Sequence, residues 1–264
     1  MPGSAGDAAS PEAEPILCGV WVGIARDNAA TLPVCLRCIA ESSAPCFRGG
    51  SAVIIYENDS SDGTADVVRQ WETSAEARAC GVRKVVVISE ALGLQKKRPS
   101  LSFLAKCRNK YLDALETLVA EEAWLRGNEA RIRVIACDLD LRLGFPAPSV
   151  ASSLQLIEQR PGCACVASNG VFTPQGHMYD SFAFRCGRAF AWPPLAYDAA
   201  AFGTLECFWA AVNGDRERRP AFAPMLPPRA VDCAFGGVCC YRYDAIRGLR
   251  HDEASEDRGQ TRVL

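Results

Sequence analysis

"RVIACDLDLRLGF", Arg133 to Phe145, is the stretch on which the fold turns. Its first half is apolar and partly β-branched, and predicts a buried strand ending near Cys137. Asp138 and Asp140 follow where that strand gives out. Two carboxylates so close repel one another unless a cation sits between or beside them. An Asp-x-Asp pair leaving a strand can offer oxygens to one Mg2+ or Mn2+, with phosphate oxygens completing the shell. The same pattern also fits two solvated turn aspartates.

Working outward toward the N-terminus, "PILCGVWVGIARDN" predicts a first strand over about Ile16 to Ala25, and "TLPVCLRCIAES" a helix. "SAVIIYEND" predicts a second strand, apolar through Tyr56 and then abruptly polar. "SSDGTADVVRQWE" has capping residues and then Val67, Val68 and Trp71 at helical spacing. "VRKVVVISE" predicts a third strand, and a long helix follows over about Leu101 to Leu125. Further on, "SLQLIEQR" and "AAAFGTLECFWAAV" predict helices, and "CACVASN" and "SFAFR" predict short strands. Strand–helix alternation of this kind implies an α/β fold with a mainly parallel central sheet covered by helices. The strand ends then meet at one edge, where open α/β sheets bind ligands. Arg26-Asp27, Glu57-Asn58-Asp59 and Asp138-Asp140 converge there.

The 264 residues are 49 % apolar, enough for a real core in a single domain over residues 16–250. The Ala/Pro/Ser/Gly-rich residues 1–15 are expected to be disordered, and residues 251–264 form a polar tail. Net charge is −2, which argues against nucleic acid or an anionic membrane as partner. No apolar run approaches the ~20 residues of a membrane span. No signal sequence is seen, so a cytoplasmic location and reduced thiols are expected for the 14 cysteines. Cys35 and Cys38 form a lone C-x-x-C that fits helix-face packing better than zinc or redox chemistry.

Three clusters carry the chemistry. The carboxylate pair is the first. In the second, "YENDSSDGT", Glu57, Asn58 and Asp59 suit the edges of a base or a ribose, and Ser60, Ser61 and Asp62 suit capping of the next helix. The third is basic: Lys96, Lys97, Arg98, Lys106, Arg108 and Lys110 surround the start of the long helix, where positive side chains suit a diphosphate. Arg108 precedes Asn109 beside the apolar stripe, which gives it a directed role. Lys97 and Lys110 read as solvated.

"WVGIARDN", "IIYENDSSDGT", "KCRNKYLDAL", "IACDLDL", "NGVFTPQGHMYDSFAFR" and "VDCAFGGVCCYRYDAI" occur in this order. Together they resemble the fungal capsule-associated α-1,3-mannosyltransferases, glycosyltransferase family 69, and their viral and algal relatives, over about Val20 to Gly248. The resemblance implies a GT-A-type glycosyltransferase fold and a GDP- or UDP-linked sugar donor. It implies that Ala25, Arg26, Glu57 and Asp59 line the nucleotide pocket and that Arg108 faces the diphosphate. Asp138 would touch ribose or metal, and Asp140 would ligate it. His177 to Arg185 and Phe235-Gly236-Gly237 would shape the sugar and acceptor site. Relatives commonly place a His near the C-terminus to complete the metal shell, and His251 is the candidate here. Many also carry an N-terminal membrane anchor, which this sequence does not show.

The expected function is therefore a metal-dependent, retaining hexosyltransferase using Mn2+ or Mg2+ to move a sugar to a hydroxyl of a glycan acceptor. Lys96, Arg98 or Arg108 would share the leaving-group charge, and Asp180 and Asp232 would lie near the acceptor. Two alternatives stand beside it. One is a non-catalytic carbohydrate- or nucleotide-binding module of GT-A-like fold. The other is a sugar nucleotidyltransferase, although "VGIARDN" lacks a Gly-rich phosphate loop.

Overall fold

The structure is a computed structural model, and it describes residues 16–93, 100–168, 171–172, 177–178, 235 and 237–251. The architecture is the expected α/β one: a mainly parallel central sheet with helices on both faces. In chain order the elements are β1 (Cys18–Ala25), α1 (Leu32–Cys46), β2 (Ser51–Asn58), α2 (Thr64–Glu72), α3 (Ala75–Ala79), β3 (Val82–Glu90) and α4 (Leu101–Glu121). A 3-10 turn at Glu129–Arg131 precedes β4 (Ile132–Cys137), α5 (Ala147–Gln159) and β5 (Cys165–Ala167). The pair β6 (Val171–Phe172) and β7 (His177–Met178) forms a separate two-stranded ladder, and β8 (Val238–Arg242) and α6 (Tyr243–Ile246) follow.

The main sheet runs β3-β2-β1-β4-β8-β5. Strands β1 to β4 are parallel, so their carboxyl ends share one edge. Strand β8 enters antiparallel between β4 and β5, with Cys137 opposite Val238 and Arg133 opposite Arg242. Alternate residues along the strands feed two cores. On one face Trp21, Val53, Ile55 and Ile135 meet α1, α2 and α5 through Leu36, Ile39, Val68 and Leu154. On the other, Val20, Val22, Ile54, Ile132 and Val134 meet α4 and α6 through Tyr111, Leu115, Leu118 and Tyr243. Burial on both faces explains why β2 is buried at all eight positions and reads as one continuous apolar run.

The sequence-based boundaries of the four parallel strands hold to within about two residues. The long helix is shorter than expected and ends at Glu121, because the chain turns out through Glu122. Its start is capped by Ser100, whose hydroxyl accepts from Phe103 N–H at 3.1 Å. Of the three residues expected to cap α2, Asp62 does so: its Oδ1 accepts from Thr64 N–H at 3.1 Å, at the first residue of the helix. The N-cap position itself is Gly63 at φ 86°, and Ser60 and Ser61 serve the neighbouring loop. The C-x-x-C does pack along α1, with Cys35 fully buried, and all eleven cysteines among the described residues are free. The N-terminal segment through Pro15, "SFAFR" and "AAAFGTLECFWAAV" lie outside the described residues.

One glycine decides how closely the site loop can approach the sheet. A Cβ on Gly23 would lie 2.8 Å from the carbonyl oxygen of Cys137 and 2.9 Å from Leu139 Cδ1. Gly23→Ala is therefore expected to cost about 1–3 kcal/mol, as overpacking does. Urea denaturation checks this, and an unchanged midpoint would show that the loop yields freely.

Candidate functional site

The carboxylate loop leaves β4 with its register intact, since Asp138 N–H donates to Gly237 O at 2.8 Å, one step beyond the last strand pair. Leu139 is the reason the two aspartates are separated. It is 2 % exposed and belongs to the α1-side core with Ile135 and Cys137. It plugs the loop into the protein while Asp138 is half-buried and Asp140 exposed at the rim. The thiol of Cys35 donates to Leu141 O at 3.5 Å, and Phe145 N–H donates to Cys38 Sγ at 3.5 Å, so α1 grips both ends of the loop's return. Burial, together with the nearby loop carboxylates, pushes the Cys35 thiol up to about 12, which keeps it a neutral donor. Phe145 closes the loop by stacking on Trp21, ring centroids 5.7 Å apart.

The exits of β1 and β2 are tied into one lattice by carboxylates. Asp27 and Asp59 both sit at φ 51°, a left-handed conformation that aspartate tolerates when its side chain bonds locally. Asp27 Oδ1 accepts from Ser61 N–H at 2.8 Å, and Asp62 Oδ2 accepts from Ala29 N–H at 2.9 Å. Asp59 Oδ1 accepts from both Leu92 N–H (2.8 Å) and Gly93 N–H (2.9 Å), which pins the exit of β3. Glu57 is 3 % exposed and accepts from Ser60 N–H (2.9 Å) and Ser89 Oγ–H (2.7 Å). Ala25 pairs with Glu57 in the β1–β2 register, and Arg26 is half-buried just beyond it. The sequence-predicted nucleotide-pocket residues are thus brought together, and both acidic ones also hold loop backbone in place.

Helix α4 supplies the opposite wall. Arg108 is half-buried there. Burial pushes the Tyr111 hydroxyl up to about 12, the positive field of Arg108 opposes the rise, and the Asp138 carboxylate adds to it. Arg108 and Asp138 therefore both lie within electrostatic reach of the same phenol. Lys110 is not simply solvated: its ammonium donates to Glu90 Oε1 at 2.8 Å while Tyr56 donates to Glu90 Oε2 at 2.8 Å. Lys110 foremost and Tyr56 next hold the Glu90 carboxyl below its usual range.

The C-terminal segment docks on α4. Asn109 grips the backbone of residue 251 at both groups: His251 N–H donates to Asn109 Oδ1 at 2.8 Å, and Asn109 Nδ2–H donates to His251 O at 3.0 Å. Arg250 adds contacts to Asp113 and Glu116, and Gly248 N–H donates to Glu116 Oε1 at 3.0 Å. His251 is half-buried, not the solvated tail residue that its setting suggests, and its Nδ1 has no partner among the described residues. Burial first, and the charge of Arg108 second, bring its imidazole down to about 4.

That shift carries a pH prediction. An ordinary unfolded histidine titrates near 6.5, so between about 6.5 and 4 the undocked chain binds a proton that the docked chain does not. Docking is complete above 6.5 and weakens as pH falls toward 4. The protection of amides 248–251, taken as exchange relative to the unfolded rate at each pH, should fall across that window, and His251→Gln should flatten the response. An equal fall in that variant would assign the effect to another group.

Asp138, Asp140 and His251 do not form a three-member ligand cluster; no such group of His, Cys, Asp and Glu occurs among the described residues. Lys96, Arg98, Asp180 and Asp232 lie outside the described residues, as does Gly236. Sequence reasoning missed Asn28, which accepts from Arg26 N–H at 2.6 Å and shapes the β1 exit, and it missed the clamp by Asn109. No helix among the described residues is long and apolar enough to cross a membrane.

No protein-family model matches the chain, and no curated protein matches it. Among solved structures the chain is similar to a mannosyltransferase, PcManGT from Pyrobaculum calidifontis, in complex with GDP-Man and Mn2+. The identity is 15 % over 92 % of this chain and 50 % of that one, with a TM-score of 0.47. It is similar to residues 1–349 of S. aureus TarS at 12 % identity, over 92 % of this chain and 53 % of that one, with a TM-score of 0.42. It is similar to glucosyl-3-phosphoglycerate synthase from Mycobacterium tuberculosis in complex with UDP at 18 % identity, over 86 % and 57 %, with a TM-score of 0.34. The chain spans about half the length of these structures.

Proposed function

We propose that this chain is a metal-dependent glycosyltransferase of GT-A type, which takes a sugar from a nucleoside-diphosphate donor and passes it to a hydroxyl of a glycan acceptor. The observation that carries the reading is the placement of Asp138 and Asp140 just past the carboxyl end of β4 in a parallel sheet, with Arg108 on α4 and Asp138 both within electrostatic reach of Tyr111. An acidic pair and a guanidinium acting on one region suit a diphosphate with its counter-cation.

The donor set fits Mg2+ or Mn2+. These ions are held through one or two carboxylates, with phosphate oxygens and water filling the rest of the shell, so a third protein ligand is not required. Asp140, exposed at the rim, would hold the ion with Asp138 behind it. When bound, the ion supplies Lewis-acid stabilisation of the departing diphosphate. Arg108 shares that developing charge from α4. Asp59 and Glu57 keep the nucleoside wall rigid through their loop bonds, and Ala25 and Arg26 border it. His251, half-buried and within electrostatic reach of Arg108, would border that wall. Asp180 and Asp232 remain our choices for the acceptor side, with retention as the expected outcome and a hexose from a GDP- or UDP-linked donor as the transferred sugar, as in a mannosyltransferase-like enzyme.

A second reading, donor or glycan binding without turnover, draws on the fact that Glu57 and Asp59 already spend their oxygens on protein donors: Glu57 on Ser60 N–H and the Ser89 hydroxyl, Asp59 on Leu92 N–H, Gly93 N–H and the Asn58 side-chain amide. Incubation with a panel of GDP- and UDP-sugars, with and without Mn2+, separates the readings. Release of nucleoside diphosphate only with Mn2+ is the expected result. Pyrophosphate release would point to nucleotidyl transfer, and binding without release would favour the second reading.

A further inference from the structure

The end of the sheet remote from the candidate site carries a second concavity, a cleft of about 330 Å³ between the end of α1, the start of β2 and the turn from α3 into β3. Arg48, Arg78 and Arg83 line it, together with Phe47, Gly50 and Gly81, and no Asp or Glu is among its lining residues. We propose that this cleft is a binding site for a phosphate-bearing ligand, separate from the carboxylate edge by the length of β2, about 25 Å at the usual rise per strand residue.

Two guanidiniums are set in place by groups other than carboxylates. Arg83 lies over the Trp124 ring, 5.1 Å from its centroid, an arrangement that fixes the plane of the cation while leaving its N–H edges available. Gly50 makes that path possible. Its φ is +96°, and a Cβ there would lie 2.2 Å from Arg83 Nε, so the backbone is both turned and bare where the side chain crosses. Arg78 is held by the carbonyls of Ser74, at 3.3 Å, and Thr73. Among the described residues neither Arg78 nor Arg83 has a carboxylate partner. Arg48 brings a third positive charge to the same concavity. Arg78 and Arg83, gathered in one cleft without a carboxylate partner among the described residues, repel one another until an anion arrives. Planar forks held in fixed orientation suit tetrahedral phosphate, which they can meet with paired N–H donors. A carboxylate ligand would satisfy one fork and leave the others unmatched.

The test uses the full chain and pyrophosphate as probe, followed at the Gly50 and Gly81 backbone amides by NMR. Saturable shifts at both amides are expected. In Arg78→Ala/Arg83→Ala the affinity should fall on the order of tenfold or more, the usual scale for losing charged hydrogen bonds. Arg78→Lys/Arg83→Lys keeps the charge and the fold but removes the forks, and should also weaken binding. Asp140→Asn should leave these shifts unchanged, which separates this site from the proposed donor site. Sedimentation with phosphatidylcholine vesicles, with and without phosphatidic acid, identifies the source of the phosphate. Binding to phosphatidic acid that the double variants lose supports the proposal with a lipid headgroup as ligand. Pyrophosphate shifts without sedimentation support it with a soluble phosphate. No shift at Gly50 and Gly81 at millimolar pyrophosphate, or shifts undiminished in both double variants, would overturn it.

Discussion

Asp140→Asn is expected to abolish Mn2+-dependent release of nucleoside diphosphate while leaving the protein folded. The side chain is exposed at the rim of the carboxylate loop, and its replacement touches no core contact. Its thermodynamic effect should stay within about 0.5 kcal/mol, as for other surface changes, and relief of repulsion from Asp138 pushes it toward stabilisation. The effect on turnover is of another order. Even groups one shell out from a metal cost about 10–100-fold when removed, so a direct ligand should cost more than about a hundredfold. Raised Mn2+ should recover part of the loss, because amide oxygen is a weaker donor than carboxylate but still a donor. Turnover within threefold of the parent at equal Mn2+ would remove Asp140 from the metal site.

The second large effect is expected from Trp21→Ala, which acts on stability and reaches the site through it. Trp21 is 1 % exposed, donates from Nε1 to Ser43 Oγ at 3.0 Å, meets Phe47 edge-on and stacks on Phe145. Deleting a buried indole costs about 3–5 kcal/mol, a large share of the 5–15 kcal/mol by which domains are usually stable. Phe145 ends the loop that carries Asp138 and Asp140, so the cavity opens under that loop. Urea denaturation should show the destabilisation, and donor turnover at low temperature should fall although no site residue has changed. Trp21→Phe, which keeps a ring against Phe145 and loses the hydrogen bond, should recover most of both. A cost below about 1 kcal/mol in the alanine variant would show that Trp21 is not central to this core.

The parallel half of the fold was legible because its signals are local. Each of β1 to β4 is an apolar run that turns polar where the sheet ends, and α4 is long enough for its apolar stripe to repeat. Strand β8 was not legible. Val238–Arg242 is five residues long, passes directly into α6, and owes its antiparallel place to partners about a hundred residues earlier. The positions of the site residues were legible for the same local reason, since polar strand ends must meet at one edge. Their partners were not. Asp59 accepts from amides 33 and 34 residues further on, and Asn109 grips a backbone 142 residues away. A carboxylate that binds substrate and one that binds a distant amide have the same appearance in a sequence. The thiols of the C-x-x-C pair were legible as packing, but their hold on the carboxylate loop follows only from the return of Leu141 to Phe145 across α1.

The insertion of β8 between β4 and β5 also fixes an order of events in the cell. On the ribosome, β1 to β4 leave the exit tunnel with every strand they need except one. The outer edge of β4 then waits for Val238 to Arg242, about a hundred residues of synthesis, which is on the order of 5–20 s at ordinary elongation rates. Throughout that interval the nascent chain carries a bare, buried-type apolar edge of the kind that templates pairing with other chains. The yield of soluble protein should therefore depend on chaperone supply and on translation speed between residues 138 and 242, far more than on the stability of the finished fold.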